Sequence, residues 1–133
     1  MLDCKPASTP LEPNVKLTLK DSPVDDNAKA RMEQFPYRQV VGKLMYLAVC
    51  TRSDICQAVN ELSCFNNNPG KTHWEGAQRV LRYLKGTAGV GLLYRHGESA
   101  DIWGYVDASH TSCPDINKGR AAYIFMSGGG PVS

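Results

Sequence analysis

The spacing of apolar residues changes once along this chain, and that change constrains the fold more than any other feature. From Pro36 to Gly86 they recur at three and four positions; after Gly89 they recur at two. The first period buries one face of a helix and the second one face of a strand, so helices come first and a sheet follows. In "PYRQVVGKLMYLAVC", Tyr37, Val40, Val41, Leu44, Met45 and Ala48 share a face, and Pro36 suits a first helical position. "RSDICQAVNELSCF" offers Ser53 as N-cap, with Ile55, Ala58, Val59 and Leu62 on one side. The third helix opens on a T-x-x-E capping box, Thr72 and Glu75, carries a stripe of Trp74, Ala77, Leu81 and Leu84, and stops at Gly86. The expected core joins Tyr37, Leu44, Ile55, Val59, Trp74, Leu81 and Leu84.

In the second half, "VGLLYR" and "DIWGYVD" read as strands around a turn at "HGES". "AAYIFMS" is a third strand beyond the loop "TSCPDINKG", and "GGGPVS" begins a further element. Residues 1–35 differ from both halves. Pro6, Pro10, Pro13 and Pro23 interrupt a polar stretch that also holds Asp21, Asp25 and Asp26, so an extended linker with little regular structure is expected.

At 133 residues the chain suffices for one domain with a core, and a formal net charge of +2 argues for no polyanionic partner without a local patch. No stretch has the length of a membrane span or the order of a signal peptide, so an intracellular, non-secreted chain is expected. Cys4, Cys50, Cys56, Cys64 and Cys113 are odd in number and include no C-x-x-C, which favours reduced thiols partly buried in helices over a disulfide framework or a zinc site.

Two constellations carry possible chemistry. Lys71, Gln78, Arg79, Arg82 and Lys85 lie off the apolar stripe of the third helix, followed by Arg95 and His96. Such a face either tracks a phosphate backbone or is simply solvated. In "GYVDASH", Asp107 ends an aromatic strand. It reads as part of a polymerase Y-x-D-D motif with Ala108 in the last place, as the first carboxylate of a nuclease, or as an ordinary strand-end aspartate. Two-metal phosphodiester chemistry needs several converging carboxylates. Asp101 lies roughly 20 Å away along an extended strand, and Asp115 sits in a loop. His73 and His110 have no partner at metal or base spacing, and Ser109 and Ser112 belong to no evident triad.

These stretches together carry a family signature. "YRQVVGKLMYLAVCTRSDICQAVNELSCF", "HWEGAQRVLRYLKGT", "GLLY" and "GYVDAS" run in the order seen in copia-type retrotransposon Pol polyproteins, which the chain resembles over nearly its whole length. "MLDCKPASTPL" is similar to the family's segment just upstream and "YIFMSGGGPVS" to the one just downstream; residues 14–35 match most loosely. "LMYLAVCTR" with "LRYLKGT" is the most specific combination. The chain departs from the family in reading Asp107-Ala108-Ser109-His110 for D-A-D-W, Arg120 and Ala121 at hydroxyl positions, and Ser53 for a helix-starting proline.

The resemblance implies an α+β chain in three parts: an extended Pro-rich linker over 1–35, the helical C-terminal region of a reverse transcriptase over 36–88, and the first strands of a truncated ribonuclease H domain over 89–133. The last would form an incomplete ribonuclease-H-like antiparallel sheet. Asp107 is then the first ribonuclease H carboxylate, vestigial here and a magnesium ligand only in a complete domain. The polymerase hairpin would precede Met1 and the remaining carboxylates would follow Ser133. The implied parent makes DNA on RNA and cleaves RNA in RNA–DNA hybrids with Mg2+; this chain alone is expected to do neither and to need no cofactor. Implied partners are an RNA–DNA hybrid or other nucleic acid and the rest of the Pol polyprotein, in cytoplasm or nucleus and away from membranes. The alternatives are a non-catalytic nucleic-acid-binding module using Lys71, Arg79, Arg82 and Lys85, and a structural or interaction domain.

Overall fold

The computed structural model describes residues 3–94, 96–97, 101–109 and 120–132. The chain is α+β and divides into two compact units, Met1–Val90 and Gly91–Ser133. In the first unit the described residues form α1 (Asp26–Glu33), α2 (Tyr37–Cys50), α3 (Cys56–Ser63) and α4 (Lys71–Gly86), with 3-10 turns at Leu19–Asp21 and Ser53–Ile55.

The core lies between α2, α3 and α4. From α2 come Tyr37, Val41, Leu44 and Ala48; from the second turn and α3 come Ile55, Ala58, Val59 and Leu62; from α4 come Ala77 and Val80. Burying side chains of this size contributes roughly 1.5–3 kcal/mol each for the larger ones. The Tyr37 hydroxyl donates to the Leu62 carbonyl at 2.8 Å, which ties α2 to the end of α3. Burial pushes that phenol well above its ordinary pKa, so it remains a donor.

Several boundaries differ from the expectation. Ser53 does not cap α3: it lies inside the 3-10 turn that runs directly into the helix. The buried face of α4 is His73, Ala77 and Val80, about one position away from the expected stripe. Trp74, Leu81 and Leu84 sit at the core margin, and Trp74 stacks on Phe35 with ring centroids 5.1 Å apart. The helix is turned because the N-terminal segment covers one flank. Leu17 joins the core and Leu11 packs beside it, so the apolar surface extends beyond what three helices alone would enclose.

That segment is therefore not the extended linker expected over 1–35. Beyond Pro23 it is free of proline, and Ala28, Lys29, Ala30, Arg31 and Met32 all favour helix, giving α1. Asp26 in the first turn and Arg31 in the last suit the helix dipole, and Lys29 pairs with Asp26 at 3.1 Å. No residue of α1 is buried, so local propensity rather than packing accounts for it.

The second unit holds an antiparallel sheet, in the order β1 (Trp103–Ser109), β2 (Arg120–Ser127), β3 (Gly130–Pro131). Tyr105 faces Ile124 and Asp107 faces Ala122 across the first pair. Ser127 pairs with Gly130 around Gly128 and Gly129, whose φ values of 58° and 78° match the two-residue turn that suits strand twist. The strand expected over "VGLLYR" is absent from Val90–Tyr94. Gly89 and Gly91 add chain entropy and no packing there, and Leu93 and Tyr94 instead come against Gly130, where a β-carbon would meet the Tyr94 ring at 2.9 Å. The Tyr94 hydroxyl donates to the Pro131 carbonyl. No described helix is long and apolar enough to cross a membrane.

Candidate nucleic-acid interface and the acidic strand

The basic helix is built from an unexpected cap. Gly70, not Thr72, precedes α4, and the Gly70 N–H donates to His73 Nδ1 at 2.8 Å. Nδ1 is thus unprotonated, and Nε2 carries the hydrogen that reaches the Thr18 carbonyl at 3.1 Å. The ring is fully buried and stacks on Phe65, with centroids 3.9 Å apart and planes 9° from parallel. Thr72 and Glu75 are inside the helix; Glu75 pairs with Lys71 at 3.6 Å and Thr72 Oγ1 lies 3.5 Å from Asp21 Oδ1. Gly70 is required, since a β-carbon would fall 1.8 Å from the Asp21 carbonyl oxygen.

Asp21 itself accepts from the Thr18 N–H at 3.0 Å and the Thr18 hydroxyl at 2.9 Å. The Thr18 hydroxyl bond is the main reason its carboxyl titrates below the usual range.

From Asp21 back to Cys4 the chain runs antiparallel along α4, and the expected nucleic-acid residues hold it there. Leu11 and Leu17 pass beside Gly76. Arg79 pairs with Glu12 at 3.0 Å and donates to Thr9 Oγ1 at 3.1 Å. Arg82 Nε donates to the Lys5 carbonyl at 2.7 Å, while the Arg82 carbonyl accepts from the Ala7 N–H at 3.3 Å. Lys85 Nζ donates to the Cys4 carbonyl at 2.9 Å. The fourth, Lys71, lies at the other end of the helix with its side chain in solvent. His96 is exposed, and Arg95 lies outside the described residues.

A second polar cluster escaped sequence reasoning. Arg52 is only 5% exposed, and its guanidinium grips Asp54 bidentately at 2.9 and 2.7 Å. It also donates to the Thr87 carbonyl at 3.0 Å and hydroxyl at 2.6 Å, and lies 5.6 Å from the Tyr83 ring centroid. The Tyr83 hydroxyl completes the set by donating to Asp54 at 2.8 Å. Arg52 is the main cause of the lowered Asp54 pKa, and the Asp54 bond is the main cause of the raised Tyr83 pKa. The clamp fastens the start of α3 to the end of α4. Its members lie in "TRSDI" and "RYLKGT", so the signature's spacing was legible although its structural use was not.

Asp107 lies in β1 with its side chain exposed, on the face that also carries Trp103 and Tyr105. Those two rings meet edge to face with centroids 5.2 Å apart. Asp101 precedes the strand; Asp115, His110 and Ser112 lie outside the described residues. Among the described residues no three His, Cys, Asp or Glu side chains gather as a metal centre requires. Cys50, Cys56 and Cys64 are exposed, contrary to the expected partial burial, Cys4 is half-buried, and Cys113 is outside the described residues.

Comparison with known proteins decides the lineage. Over all 133 residues the chain is 43% identical to the retrovirus-related Pol polyprotein from transposon TNT 1-94 of Nicotiana tabacum, and 36% identical to that from transposon RE2 of Arabidopsis thaliana. The chain belongs to the copia-type retrotransposon Pol polyproteins. It spans about a tenth of the length of these two relatives, 10% and 9% respectively, and so corresponds to a segment of such a polyprotein. Secreted RxLR effector protein 161 of Plasmopara viticola is 40% identical over 102 residues, covering 77% of this chain and 72% of that protein. No protein-family model matches the chain, and no solved structure does.

Proposed function

We propose that this Pol segment is a structural part of a reverse transcriptase–ribonuclease H polyprotein and has no catalysis of its own. Its helical unit would close the C-terminal region of the reverse transcriptase and its sheet would supply the first strands of ribonuclease H. The parent would make DNA on RNA and cleave RNA in hybrids, with the rest of Pol and an RNA–DNA hybrid as its partners. The observation that carries this reading is the 43% identity over every residue of the chain to a Pol polyprotein ten times its length.

Asp107 would be the first carboxylate of the nuclease site. The described residues offer it alone in β1, whereas a pair of magnesium ions needs several carboxylates, so the residues present do not fit that site. Primer extension and hybrid cleavage by the purified chain with magnesium are the test. Both are expected at background; magnesium-dependent turnover by this chain alone would refute the proposal.

A second reading is favoured by one feature of α4. Arg79, Arg82 and Lys85 occupy successive turns and already hold a row of oxygen acceptors, which is how cations bind a phosphate backbone. The segment would then be a non-catalytic nucleic-acid-binding module, with affinity that falls steeply as salt rises.

A further inference from the structure

We infer that residues 4–12 are an internal cover that competes with nucleic acid for the basic face of α4. This rests on the second reading above, since a cover matters only if that face takes phosphates. The oxygens held by Arg79, Arg82 and Lys85 are Glu12 Oε2, Thr9 Oγ1 and two backbone carbonyls, those of Lys5 and Cys4. They form a line of acceptors over about 9 Å of helix axis, the rise of six residues. A phosphodiester strand offers the same kind of line with full negative charges. Glu12, the one carboxylate of the set, sits where a phosphate oxygen would.

The cover is held lightly. From Cys4 to Lys16 only Ala7 is buried; Leu11 is half-buried at the core margin, the Arg79–Thr9 bond is part-buried, and the contacts to Glu12, Lys5 and Cys4 are solvent-exposed. Exposed ion pairs of this sort are weak and are screened by salt. Pro6 and Pro10 restrict the backbone of the strip, so it loses little entropy when it lies down and gains little when it lifts. Arg79 also keeps its Nε buried without an acceptor, so the cover leaves one donor of the face unused. The firm attachment begins at Leu17, which is in the core, and at Thr18, which accepts from His73. Residues 4–12 can therefore peel away while the rest of the segment stays in place.

Two substitutions loosen the cover without removing a cation. Gly86→Ala places a β-carbon 2.9 Å from Pro6 Cβ, and Glu12→Gln removes the charge that pairs with Arg79. The full chain is titrated against a labelled RNA–DNA hybrid at low salt, with Glu33→Gln, an exposed site on α1, as the control for net charge. Gly86→Ala and Glu12→Gln should each tighten binding about two- to fivefold, the range set by one exposed pair, and Glu33→Gln should do so clearly less. Hybrid should also speed hydrogen exchange at the Ala7 N–H while leaving the core amides unchanged. If Arg79→Ala weakens binding but neither loosening variant tightens it, the face binds and the cover does not compete. If no variant binds, the nucleic-acid reading falls and the cover falls with it.

Discussion

The helical unit and the sheet unit use apolar residues in opposite ways. In the first, Ile55, Val59, Leu62, Ala77 and Val80 have no exposed surface at all. In the second, Trp103, Tyr105, Val106 and Tyr123 are 50–81% exposed. Strand alternation puts Tyr105 with Ile124 on one face and Val106 with Tyr123 on the other, so neither face is polar. A sheet that is apolar on both sides is the kind that layered folds cover on both sides. The comparison teaches that regular pairing and a closed core are separate achievements: the sheet has the first, the helices have both.

The sharpest way to break this contrast is to shorten one side chain in each unit. Leu62→Ala should cost about 2–5 kcal/mol in denaturant unfolding, because the cavity is enclosed by three helices. Val106→Ala should change stability by less than about 0.5 kcal/mol, as expected for an exposed position. Equal losses would mean that the sheet faces are packed in solution and that the contrast is false.

The Arg52 clamp gives the next largest effect. Arg52→Met fills similar volume but leaves the Thr87 carbonyl and hydroxyl without their Arg52 donor and Asp54 with only the Tyr83 hydroxyl, at a cost of about 2–3 kcal/mol, between an exposed and a fully buried pair. The acid limb of stability follows from the same bonds. Asp54 and Asp21 titrate lower in the folded chain than in the unfolded one. Each therefore contributes stability that is complete above the unfolded carboxyl value and is lost as pH falls through the folded one. Melting temperature should decline below about pH 4, and the Arg52→Met chain should decline less because its Asp54 loses the main cause of its lowered pKa. A steeper acid loss in the variant would contradict the assignment of Arg52 as the main cause.

What was legible in the sequence follows the range of the interactions. The faces of α2 and α3 were readable because Tyr37, Val41, Leu44, Ile55, Val59 and Leu62 repeat within a few residues of one another. The cover along α4 was not, because Glu12 and Arg79, or Cys4 and Lys85, carry no periodic mark that joins them. Thr72 and Glu75 fit a local capping rule, yet His73 caps the helix, because Phe65 and Thr18 hold its ring in place from elsewhere in the chain. The basic residues of α4 were found by pattern, and their use in holding residues 4–12 was not. For Asp107 the sequence supplied its strand, and the family resemblance supplied the proposed role.

The smallest expected effect concerns that aspartate. A carboxylate in a working two-ion site is repelled by its neighbours when the ions are absent, so neutralising it stabilises the apo protein and abolishes magnesium binding. Asp107 is exposed in β1, and among the described residues no metal-binding cluster surrounds it. Asp107→Asn should therefore shift stability by less than about 0.5 kcal/mol, the range for ordinary surface changes. It should leave the melting temperature equally insensitive to millimolar magnesium in both chains, because a ligand stabilises a fold only as far as it binds it. A magnesium-induced rise in melting temperature that vanishes in Asp107→Asn would show that other carboxylates reach this strand. The sheet unit would then hold an assembled site, and its contrast with the helical unit would have to be redrawn.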